Sequence, residues 1–378
     1  MTLPSKSCAL KGNQKVFYLH QNKIASCCCA ESETLDISRD LNWYLNKWCQ
    51  ESQQLDLGIQ LSGCNHCWKK EAQAQVSMRS TAQSSNIIEL CLSSLCNQMC
   101  SYCSPKFSSA WQDSIKEFGM FKNISNTAIS NLQPEHASEN FDYWMDQIYQ
   151  YISQCDDHSV ELKLLGGEPL MQQRNLQKLL TVNPRKIKKI RVHTNLNPPT
   201  NKFLLWLIQN VDHNILQFTV SLDASPQYNQ WPRARFNHVE FDNNLQLLQN
   251  NQIAVVLNAV VSVLSVFDLQ NYMTWARDKN IHIDFNQLQN PDCLEALLLP
   301  HKFRTAIWNS IKHLDPPAVI QKILQHEQHD NSLRLFEQYN YLQQYFQRND
   351  LDPANYDNAL FSEYWAWLTK NFKNTKIS

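Results

Sequence analysis

The feature that most constrains this chain is a regular alternation of short apolar segments and longer amphipathic segments from residue 87 onward. Segments 87–92, 159–165, 189–193, 217–222, 253–261 and 281–285 have the length and side chains of buried strands. Helical patterns at 141–154, 171–182, 199–211, 241–250 and 267–279 lie between them. Strands that alternate with helices pair in parallel through right-handed crossovers. We therefore predict an α/β fold, a partial (β/α)6 TIM-type barrel over residues 84–299, since six units are too few for a closed eight-unit barrel.

Two segments of different character flank this region. Residues 1–83 are rich in cysteine, with short strand patterns at 16–19 and 23–27 and a helical pattern at 37–53. Residues 300–378 carry apolar side chains at helical spacing, which predicts a helical C-terminal extension with a core-facing stripe. Members of that stripe are Leu335, Tyr339, Leu342 and Phe346. The chain is thus expected to divide after residues 83 and 299.

The overall composition argues against some classes of protein. Hydrophobic residues make up 43% of the 378 residues and charged residues 18%, so a packed core is expected. A formal net charge of −1 and the lack of an arginine-rich tract argue against a nucleic-acid partner. The polar first residues show no signal peptide, and the longest apolar runs, near 253–266 and 294–300, are too short to span a bilayer. We expect a soluble, cytoplasmic protein with no membrane partner.

Thirteen cysteines, an odd number, require a chemical explanation. Disulfides are rare in the cytosol, where clustered cysteines more often bind metal or take part in catalysis. Four cysteines stand alone and are expected to be buried apolar thiols, namely Cys49, Cys91, Cys155 and Cys293. The others fall into two groups, one before residue 68 and one within 96–103.

The second group, Cys96, Cys100 and Cys103, forms a C-x3-C-x2-C array shortly after the first strand of the alternating region. Three thiols in one short loop can bind one face of an iron–sulfur cluster, for which thiolates are the usual ligands. Three ligands leave one iron open to a chelating small molecule. A zinc site is the alternative, although structural zinc usually takes four ligands from paired knuckles.

A pair of adjacent glycines marks the end of the second predicted strand. Only six glycines occur in the chain, and Gly166 and Gly167 begin the sequence Gly166-Gly167-Glu168-Pro169. Glycine lets the backbone approach a ligand closely, and the Glu168 carboxylate can pair with an ammonium group. A plain strand-to-helix turn is the alternative.

Together the two motifs, with Tyr102 before the last cysteine, resemble the signature of the radical S-adenosylmethionine (SAM) superfamily. The resemblance implies a [4Fe–4S] cluster on Cys96, Cys100 and Cys103 whose open iron binds the amino and carboxylate groups of SAM. It also implies an oxidoreductase that cleaves SAM reductively to methionine and a 5′-deoxyadenosyl radical, which abstracts hydrogen from a substrate. An electron donor such as flavodoxin or ferredoxin is the expected partner.

The resemblance extends to single residues at the ends of predicted strands, where barrel enzymes carry their active sites. The SAM-binding residues that it implies are Tyr102, Gly166, Gly167, Glu168, Pro169, Thr194, Asn195, Ser221, Asp223, Arg233 and Asn258. Arg235 competes with Arg233 for the SAM carboxylate, and ordinary turn or capping roles are the alternative for each single residue. The resemblance covers residues 87–300 and does not identify a catalytic side chain.

The cysteines of residues 1–83 are similar to a twitch or SPASM-type module, which in relatives binds an auxiliary [4Fe–4S] cluster and mostly follows the barrel. The similarity rests on Cys64-x2-Cys67-Trp68, with Ser77-Met78-Arg79 beyond it. The implied ligands are Cys8, Cys27, Cys64 and Cys67, with Cys28 as the alternative ligand and Cys29 as a structural residue. Asn22, five residues before Cys27, replaces a glycine of relatives, and asparagine tolerates a left-handed turn. A zinc ribbon is the alternative, because two separated cysteine groups also form tetrahedral sulfur sites.

The substrate is the least constrained part of the resemblance. In relatives, auxiliary-cluster modules accompany modification of ribosomally made peptides, so a peptide is the first expected substrate and a small metabolite the second. No separate leader-binding domain is visible ahead of the cysteines, which weakens the peptide hypothesis or implies a separate peptide-binding partner. A non-catalytic zinc-binding module is the alternative from another class, and the Gly-Gly-Glu-Pro sequence argues against it. The balanced charge argues against an RNA-modifying enzyme.

Overall fold

The computed structural model describes residues 8–11, 13–72, 76–81, 86–124, 140–288, 290–326, 332–373 and 375. The chain divides into two compact units. Unit one comprises Met1–Ser94, Glu135–His193 and Lys202–Gln217, and unit two comprises Leu95–Pro134, Thr194–Asn201 and Phe218–Ser378. The expected divisions after residues 83 and 299 stay predictions.

The strands and helices of the described residues follow the alternation expected from the sequence. The strands are β1 Gln14–Tyr18, β2 Lys23–Ala25, β3 Glu33–Thr34, β4 Asn86–Cys91, β5 Met99–Cys100, β6 Val160–Leu165, β7 Ile187–Thr194, β8 Leu216–Ser221, β9 Arg233–Ala234, β10 Ala254–Val261 and β11 His282–Gln287. The helices are α1 Leu41–Asp56, α2 Asn65–Ala72, α3 Met78–Thr81, α4 Ser109–Phe118, α5 Phe141–Gln154, α6 Gln173–Val182, α7 Lys202–Asn210, α8 His238–Asn250, α9 Leu269–Asp278, α10 His301–Ile311, α11 Ala318–Leu324, α12 Ser332–Arg348 and α13 Ala359–Phe372. The six predicted strands are β4, β6, β7, β8, β10 and β11, and α5 to α9 separate them. The α/β class is therefore confirmed.

Unit one is built on a sheet with the strand order β7-β6-β4-β1-β2-β3. β4, β6 and β7 are parallel neighbours, with Lys163 of β6 opposite Glu89 on one side and Arg191 on the other. β1 joins the same sheet parallel to β4, with Val16 opposite Glu89, and β2 and β3 follow as antiparallel strands. A strand of the cysteine-rich segment thus lies beside the first strand of the alternating region, a pairing that the sequence does not predict.

The alternating residues of these strands differ in polarity. Side chains of successive strand residues point to opposite faces. Ile88 and Leu90 of β4 are fully buried, whereas Glu89 between them accepts hydrogen bonds from Lys163 Nζ at 2.7 Å and Gln14 Nε2 at 2.6 Å. One face of this parallel sheet is therefore apolar and the other carries paired charges, which departs from the apolar faces typical of parallel sheets.

Helix α1 of the cysteine-rich segment packs against α5 within unit one. Asp40 caps α1 by accepting a hydrogen bond from the Trp43 amide. The rings of Tyr44 and Trp144 meet edge to face with centroids 6.1 Å apart, and the Leu41 amide donates to the Gln147 side chain. The N-terminal segment is anchored by these contacts.

Unit two contains the strand order β8-β10-β11 and a two-stranded antiparallel ladder of β5 and β9. In this ladder Cys100 lies opposite Arg233. α4 and the C-terminal helices contribute to one aromatic core, whose larger members include Trp111, Phe121, Trp231, Phe303, Tyr341, Tyr345, Tyr356 and Tyr364. The described residues beyond 300 are largely helical, and the stripe of Leu335, Tyr339, Leu342 and Phe346 is buried, as the helical spacing predicted.

In the part of the chain that the structure describes, no helix is long and apolar enough to cross a membrane.

The α/β architecture with parallel strands matches the prediction, whereas closure into a partial barrel stays a prediction.

Candidate active site

The cysteine loop, residues 96–103, lies in unit two and is shaped by short hydrogen bonds. The Cys103 amide donates to the Cys100 carbonyl oxygen at 3.0 Å, which forms a tight turn. The Cys96 amide donates to Ser109 Oγ, and the Ser109 hydroxyl donates back to the Cys96 carbonyl, both at 3.1 Å. Helix α4, which begins at Ser109, therefore fixes the start of the loop.

Burial makes free thiolates unfavourable in this loop. Burial, together with the nearby Cys100, raises the pKa of the Cys103 thiol to about 12. Burial also raises the pKa of Cys100, and the adjacent Arg233 guanidinium opposes this shift. Thiolates here require positive charge close by, which a bound metal ion would supply.

Buried Arg233 and Asp223 form a hydrogen-bonded network with half-buried Tyr102 of the cysteine loop. Arg233 Nη1 donates to Cys100 Sγ at 3.3 Å, and Arg233 Nε donates to Asp223 Oδ2 at 2.9 Å. Tyr102 Oη donates to the same carboxylate oxygen at 2.8 Å and accepts from Arg233 Nη2. The Val260 amide donates to Asp223 Oδ1 at 2.9 Å, and the Asp223 side chain is 0% exposed. Burial alone would lower the pKa of Arg233, but the charges of Asp223, Tyr102 and Cys100 outweigh it and raise that pKa.

The structure distinguishes the two arginines that the sequence left in competition. Arg233 is buried and contacts the cysteine loop, whereas Arg235 is exposed and has a left-handed backbone with φ of 70°. Ser221 is half-buried at the end of β8, and Asn258 of β10 accepts a hydrogen bond from Asn286 Nδ2 at 2.9 Å. Of the three strand-end candidates in this part of unit two, only Asp223 joins the network.

The turn after β7 is tied to the cysteine loop by asparagine side chains. Thr194 Oγ1 accepts from the Leu196 amide, and Asn195 Oδ1 accepts from the Asn197 amide, both at 2.8 Å. Asn195 Nδ2 donates to Asn97 Oδ1 at 3.0 Å, and Asn97 Nδ2 donates to the Asn197 carbonyl at 2.6 Å. Sequence reasoning missed Asn97 and Asn197, for which the only signal was the position of Asn97 inside the cysteine motif.

The glycine pair lies in unit one, against the residues that follow β4. Gly166 has φ of 118°, and a Cβ there would lie 2.9 Å from the Ser93 carbonyl oxygen. The Gly167 amide donates to the same oxygen at 2.9 Å. Both the left-handed backbone and the close approach require glycine at 166.

Glu168 and Pro169 complete this turn. Glu168 is 1% exposed, and its Oε1 accepts from the Leu170 amide at 2.9 Å, which caps the 3-10 helix Pro169–Met171. Pro169 occupies the first position of that helix, where its missing N–H costs nothing. Glu168 is thus a buried carboxylate held by a backbone donor.

The four cysteines predicted as auxiliary ligands all belong to unit one. Cys27, Cys64 and Cys67 are buried, and Cys8 is half-buried, whereas Cys28 is exposed. Burial raises the pKa of Cys27 to about 12, with Cys28, Cys8 and Cys64 adding to the shift and a Cys29 backbone hydrogen bond opposing it. Burial also raises the pKa of Cys64, with Cys8 and Cys67 adding to it and Lys11 opposing it.

The turn before these cysteines has the backbone that the sequence predicted. Asn22 has φ of 51° and ψ of 42°, so the prediction of a left-handed turn is confirmed.

Helix α2, which carries Cys67, is held by the predicted neighbouring residues. The Arg79 guanidinium lies 4.0 Å from the centroid of the Trp68 ring and forms an ion pair with Glu71. Ser77 Oγ donates to Glu71 Oε1 at 2.5 Å. These contacts give Trp68, Ser77 and Arg79 a packing role at helix α2, whereas Met78 is exposed.

One of the four lone cysteines was predicted wrongly. Cys91 and Cys293 are buried and Cys155 is half-buried, but Cys49 is exposed. The buried face of α1 is formed by Leu41, Tyr44, Trp48 and Leu55, and Cys49 lies outside it. A residue next to a buried tryptophan points elsewhere because successive helix positions are rotated by about 100°.

Within the described ranges, no group of three or more His, Cys, Asp or Glu side chains is arranged to hold a metal ion. A cubane cluster takes one thiolate on each iron, so its ligand sulfurs need not converge on a single point. The donor set of the cysteine loop, three thiols with no carboxylate or imidazole among them, fits iron–sulfur chemistry.

Comparisons with known proteins yield weak structural likenesses. No family model and no curated protein matches the chain. A histidine-tagged anSMEcpe with bound AdoMet aligns with a TM-score of 0.43 and 13% identity, covering 60% of this chain and 57% of that chain. Streptococcus suis SuiB bound to S-adenosylmethionine aligns with a TM-score of 0.40 and 12% identity, covering 77% of this chain and 60% of that chain. The alignment thus spans less than two thirds of each of these solved chains, and scores this low transfer neither ligand nor activity.

Proposed function

We propose that this chain is a radical SAM enzyme that abstracts hydrogen from its substrate in an oxidative modification. The observation that carries the proposal is the cysteine loop, whose three thiols and Arg233–Asp223–Tyr102 network form one constellation in unit two. The Gly-Gly-Glu-Pro turn, the second motif of the resemblance, supports it, because the backbone requires glycine at 166. In this proposal residues 84–299 form the partial barrel and the enzyme works in the cytoplasm.

The residues that would hold the catalytic [4Fe–4S] cluster are Cys96, Cys100 and Cys103. When bound, the cluster supplies the electron that cleaves SAM to the 5′-deoxyadenosyl radical. The protein contributes a loop whose central residues, 98–101, are buried, and a guanidinium that donates to Cys100 Sγ at 3.3 Å. A charged donor at a ligand sulfur offsets part of the negative charge on the thiolates and adjusts the reduction potential.

The residues that we propose to bind SAM lie in the Gly-Gly-Glu-Pro turn of unit one and, in unit two, near the cysteine loop or on and after strands. Glu168 is a buried carboxylate suited to an ammonium group, and Gly166 and Gly167 let the backbone approach a ligand. Arg233 has five N–H donors, and its hydrogen bonds to Asp223, Cys100 and Tyr102 do not use all of them. A remaining N–H can therefore also pair with a carboxylate. Further polar groups proposed to contact SAM are Tyr102, Thr194, Asn195, Ser221, Asp223 and Asn258, with Pro169 shaping the turn.

A second metal site is proposed on Cys8, Cys27, Cys64 and Cys67. Its support is that Cys8 raises the pKa of both Cys27 and Cys64, and that the other three thiols are buried within unit one. Four sulfur ligands suit an auxiliary [4Fe–4S] cluster and also suit tetrahedral zinc. We favour the cluster because the surrounding residues 1–83 resemble a twitch or SPASM-type module.

A peptide is the proposed substrate, on the ground of the same module resemblance, and a small metabolite is the alternative. Flavodoxin or ferredoxin is the proposed electron donor. Fold likeness does not fix a substrate, so this part of the proposal requires a direct assay.

The experiment is anaerobic reconstitution with iron and sulfide, followed by iron counting and an assay of 5′-deoxyadenosine formed from SAM and dithionite. We expect about eight irons per chain, the number for two four-iron clusters, and 5′-deoxyadenosine in wild type. Cys96→Ala, Cys100→Ala and Cys103→Ala should each abolish the product. Cys49→Ala, which removes an exposed thiol outside both groups, is the matched control and should retain it.

Two outcomes oppose the proposal. Formation of 5′-deoxyadenosine by any of the three loop variants would refute the assignment of the ligands. A wild-type protein that takes up only zinc and forms no product would favour the non-catalytic zinc-binding alternative.

A further inference from the structure

We propose that Tyr341 and Tyr345 of the C-terminal helix α12 are positioning residues for the iron–sulfur cluster, acting through the backbone of the cysteine loop. The inference rests on the proposed function, since it concerns the same loop. It assigns a role to the segment beyond residue 300, which sequence reasoning treated only as a helical extension with a packing stripe.

Four consecutive backbone carbonyls of the cysteine loop each accept a hydrogen bond from a different side chain. The pairs are Ser108 Oγ to Gln98 O at 2.8 Å, Tyr345 Oη to Met99 O at 3.0 Å, Trp111 Nε1 to Cys100 O at 3.0 Å, and Tyr341 Oη to Ser101 O. Two donors come from α4 or the residue that caps it, and two come from α12. The loop is therefore held from two helices along the whole stretch that carries its central cysteine.

The two tyrosines are built into the core that lies beside the loop. Both are 0% exposed, and their spacing of four residues places them on one face of α12. The Tyr341 ring stacks on Phe121 with centroids 4.6 Å apart and planes at 7°. Tyr345 Oη also accepts a hydrogen bond from the Ala234 amide at 3.1 Å, so one phenol binds both strands of the β5–β9 ladder.

The physical need for these donors follows from the shape of the loop. The β5–β9 ladder is only two residues long on each strand, so regular pairing cannot satisfy most of the loop's backbone groups. A buried carbonyl without a donor costs free energy comparable to a lost hydrogen bond. Tyr345 fixes the plane of the Met99–Cys100 peptide, and Tyr341 fixes that of the Ser101–Tyr102 peptide, which lies between Cys100 and Cys103. Dipoles held this close to a cluster contribute to its reduction potential.

Phenylalanine at these positions would fill the same space without the hydroxyl. Tyr356 offers a matched comparison, because its buried phenol also donates to a backbone carbonyl, that of Leu264 at 3.2 Å, which lies outside the cysteine loop. A general loss of core stability should therefore affect all three Tyr→Phe variants, whereas an effect on the cluster should be confined to Tyr341 and Tyr345.

The test uses the full-length, reconstituted protein in a Cys64→Ala/Cys67→Ala background, so that the loop supplies the iron signal. Tyr341→Phe, Tyr345→Phe, the double variant and Tyr356→Phe are compared by the rate of iron release to a chelator and by the midpoint potential from an EPR-monitored redox titration. Each loop variant should release iron about fivefold faster, the factor that corresponds to one hydrogen bond of ordinary net strength. The double variant should release it faster still and show a shifted potential, while Tyr356→Phe should match the parent in both measurements.

The outcomes separate this inference from the proposed function. If Tyr341→Phe and Tyr345→Phe equal Tyr356→Phe in both iron release and potential, the positioning role is refuted and the enzyme assignment stands. If the parent protein holds no iron on the cysteine loop, the proposed function fails and this inference fails with it.

Discussion

The guanidinium of Arg233 lies 3.3 Å from the sulfur of Cys100, and the two residues face each other directly in the β5–β9 ladder. The backbone pairing therefore determines which arginine meets the cysteine. Arg235, two residues further on, is exposed. The same guanidinium binds the fully buried carboxylate of Asp223, so the ladder also brings a paired charge to the cysteine loop.

Removing one member of the Arg233–Asp223 pair should destabilise the protein strongly. Arg233→Gln leaves a buried carboxylate without its cation, and Asp223→Asn leaves a buried guanidinium without its anion. Each should lower the free energy of unfolding by about 3 to 5 kcal/mol, as for other broken buried pairs. Urea unfolding of the cluster-free protein measures this, and the double variant should cost clearly less than the sum of the two.

The control for this pair is Lys302–Glu363, whose side chains are 57% and 59% exposed. Lys302→Met should change the free energy of unfolding by less than about 1 kcal/mol, because solvent screens exposed pairs. Equal losses for Arg233→Gln and Lys302→Met would contradict the importance of burial at this site.

Gly166→Ala should destabilise unit one by more than about 2 kcal/mol, because it combines strained backbone with a steric clash. The added Cβ would lie 2.9 Å from the Ser93 carbonyl oxygen at φ of 118°. Thermal or urea unfolding of the cluster-free protein measures the loss.

Two other glycines separate the causes of that loss. Gly119 has φ of 74° with open space around it, so Gly119→Ala should show the cost of the backbone alone, about 1 kcal/mol. Gly63 has neither a left-handed backbone nor a neighbour within 4 Å, so Gly63→Ala should be close to neutral. If Gly166→Ala loses no more stability than Gly119→Ala, the close approach of the added Cβ to the Ser93 carbonyl oxygen costs nothing, which would contradict the prediction.

The double variant Cys64→Ala/Cys67→Ala should remove the auxiliary metal and leave the catalytic cluster. Iron per chain should fall from about eight to about four if that site holds a [4Fe–4S] cluster, while zinc should fall if it is a zinc ribbon. Iron and zinc are measured in the double variant and in the control Cys49→Ala, which are reconstituted in parallel. The metal that the double variant loses distinguishes a cluster from a zinc ribbon. Metal content equal to that of wild type would show that these cysteines are not ligands.

His193 of β7 should make the protein less stable as the pH falls. Burial, together with the charges of Lys163 and Arg191, lowers the pKa of His193 to about 4. The unfolded chain, with a histidine pKa near 6.5, takes up a proton first, so folding loses stability as the pH drops from 6.5 towards 4. The loss should reach about 3 kcal/mol, since each pKa unit of the shift corresponds to about 1.4 kcal/mol.

The comparison of wild type with His193→Gln isolates this contribution from the carboxylates that also titrate in acid. The difference in unfolding free energy between the two proteins should change between about pH 7 and about pH 4.5, in favour of the variant at low pH. A difference that stays constant over that range would show that His193 titrates in the folded protein as it does in the unfolded chain.

The sequence alone determined the elements and the chemistry that local patterns carry. Strand and helix propensities, together with apolar periodicity, placed β4, β6, β7, β8, β10 and β11 within a few residues of their observed bounds. The requirement for glycine at 166 and the left-handed turn at Asn22 also followed from residue type, because backbone conformation restricts which residues are allowed there. The spacing of Cys96, Cys100 and Cys103 is likewise a local property.

Only the tertiary structure decided which distant residues meet. It selected Arg233 over Arg235 through strand register, placed β1 beside β4, and brought Tyr341 and Tyr345 to a loop 240 and 246 residues away. Such contacts depend on long-range pairing and on the satisfaction of buried polar groups, and no local pattern encodes either. The cysteine motif was therefore readable from the sequence, whereas the side chains that hold it were not.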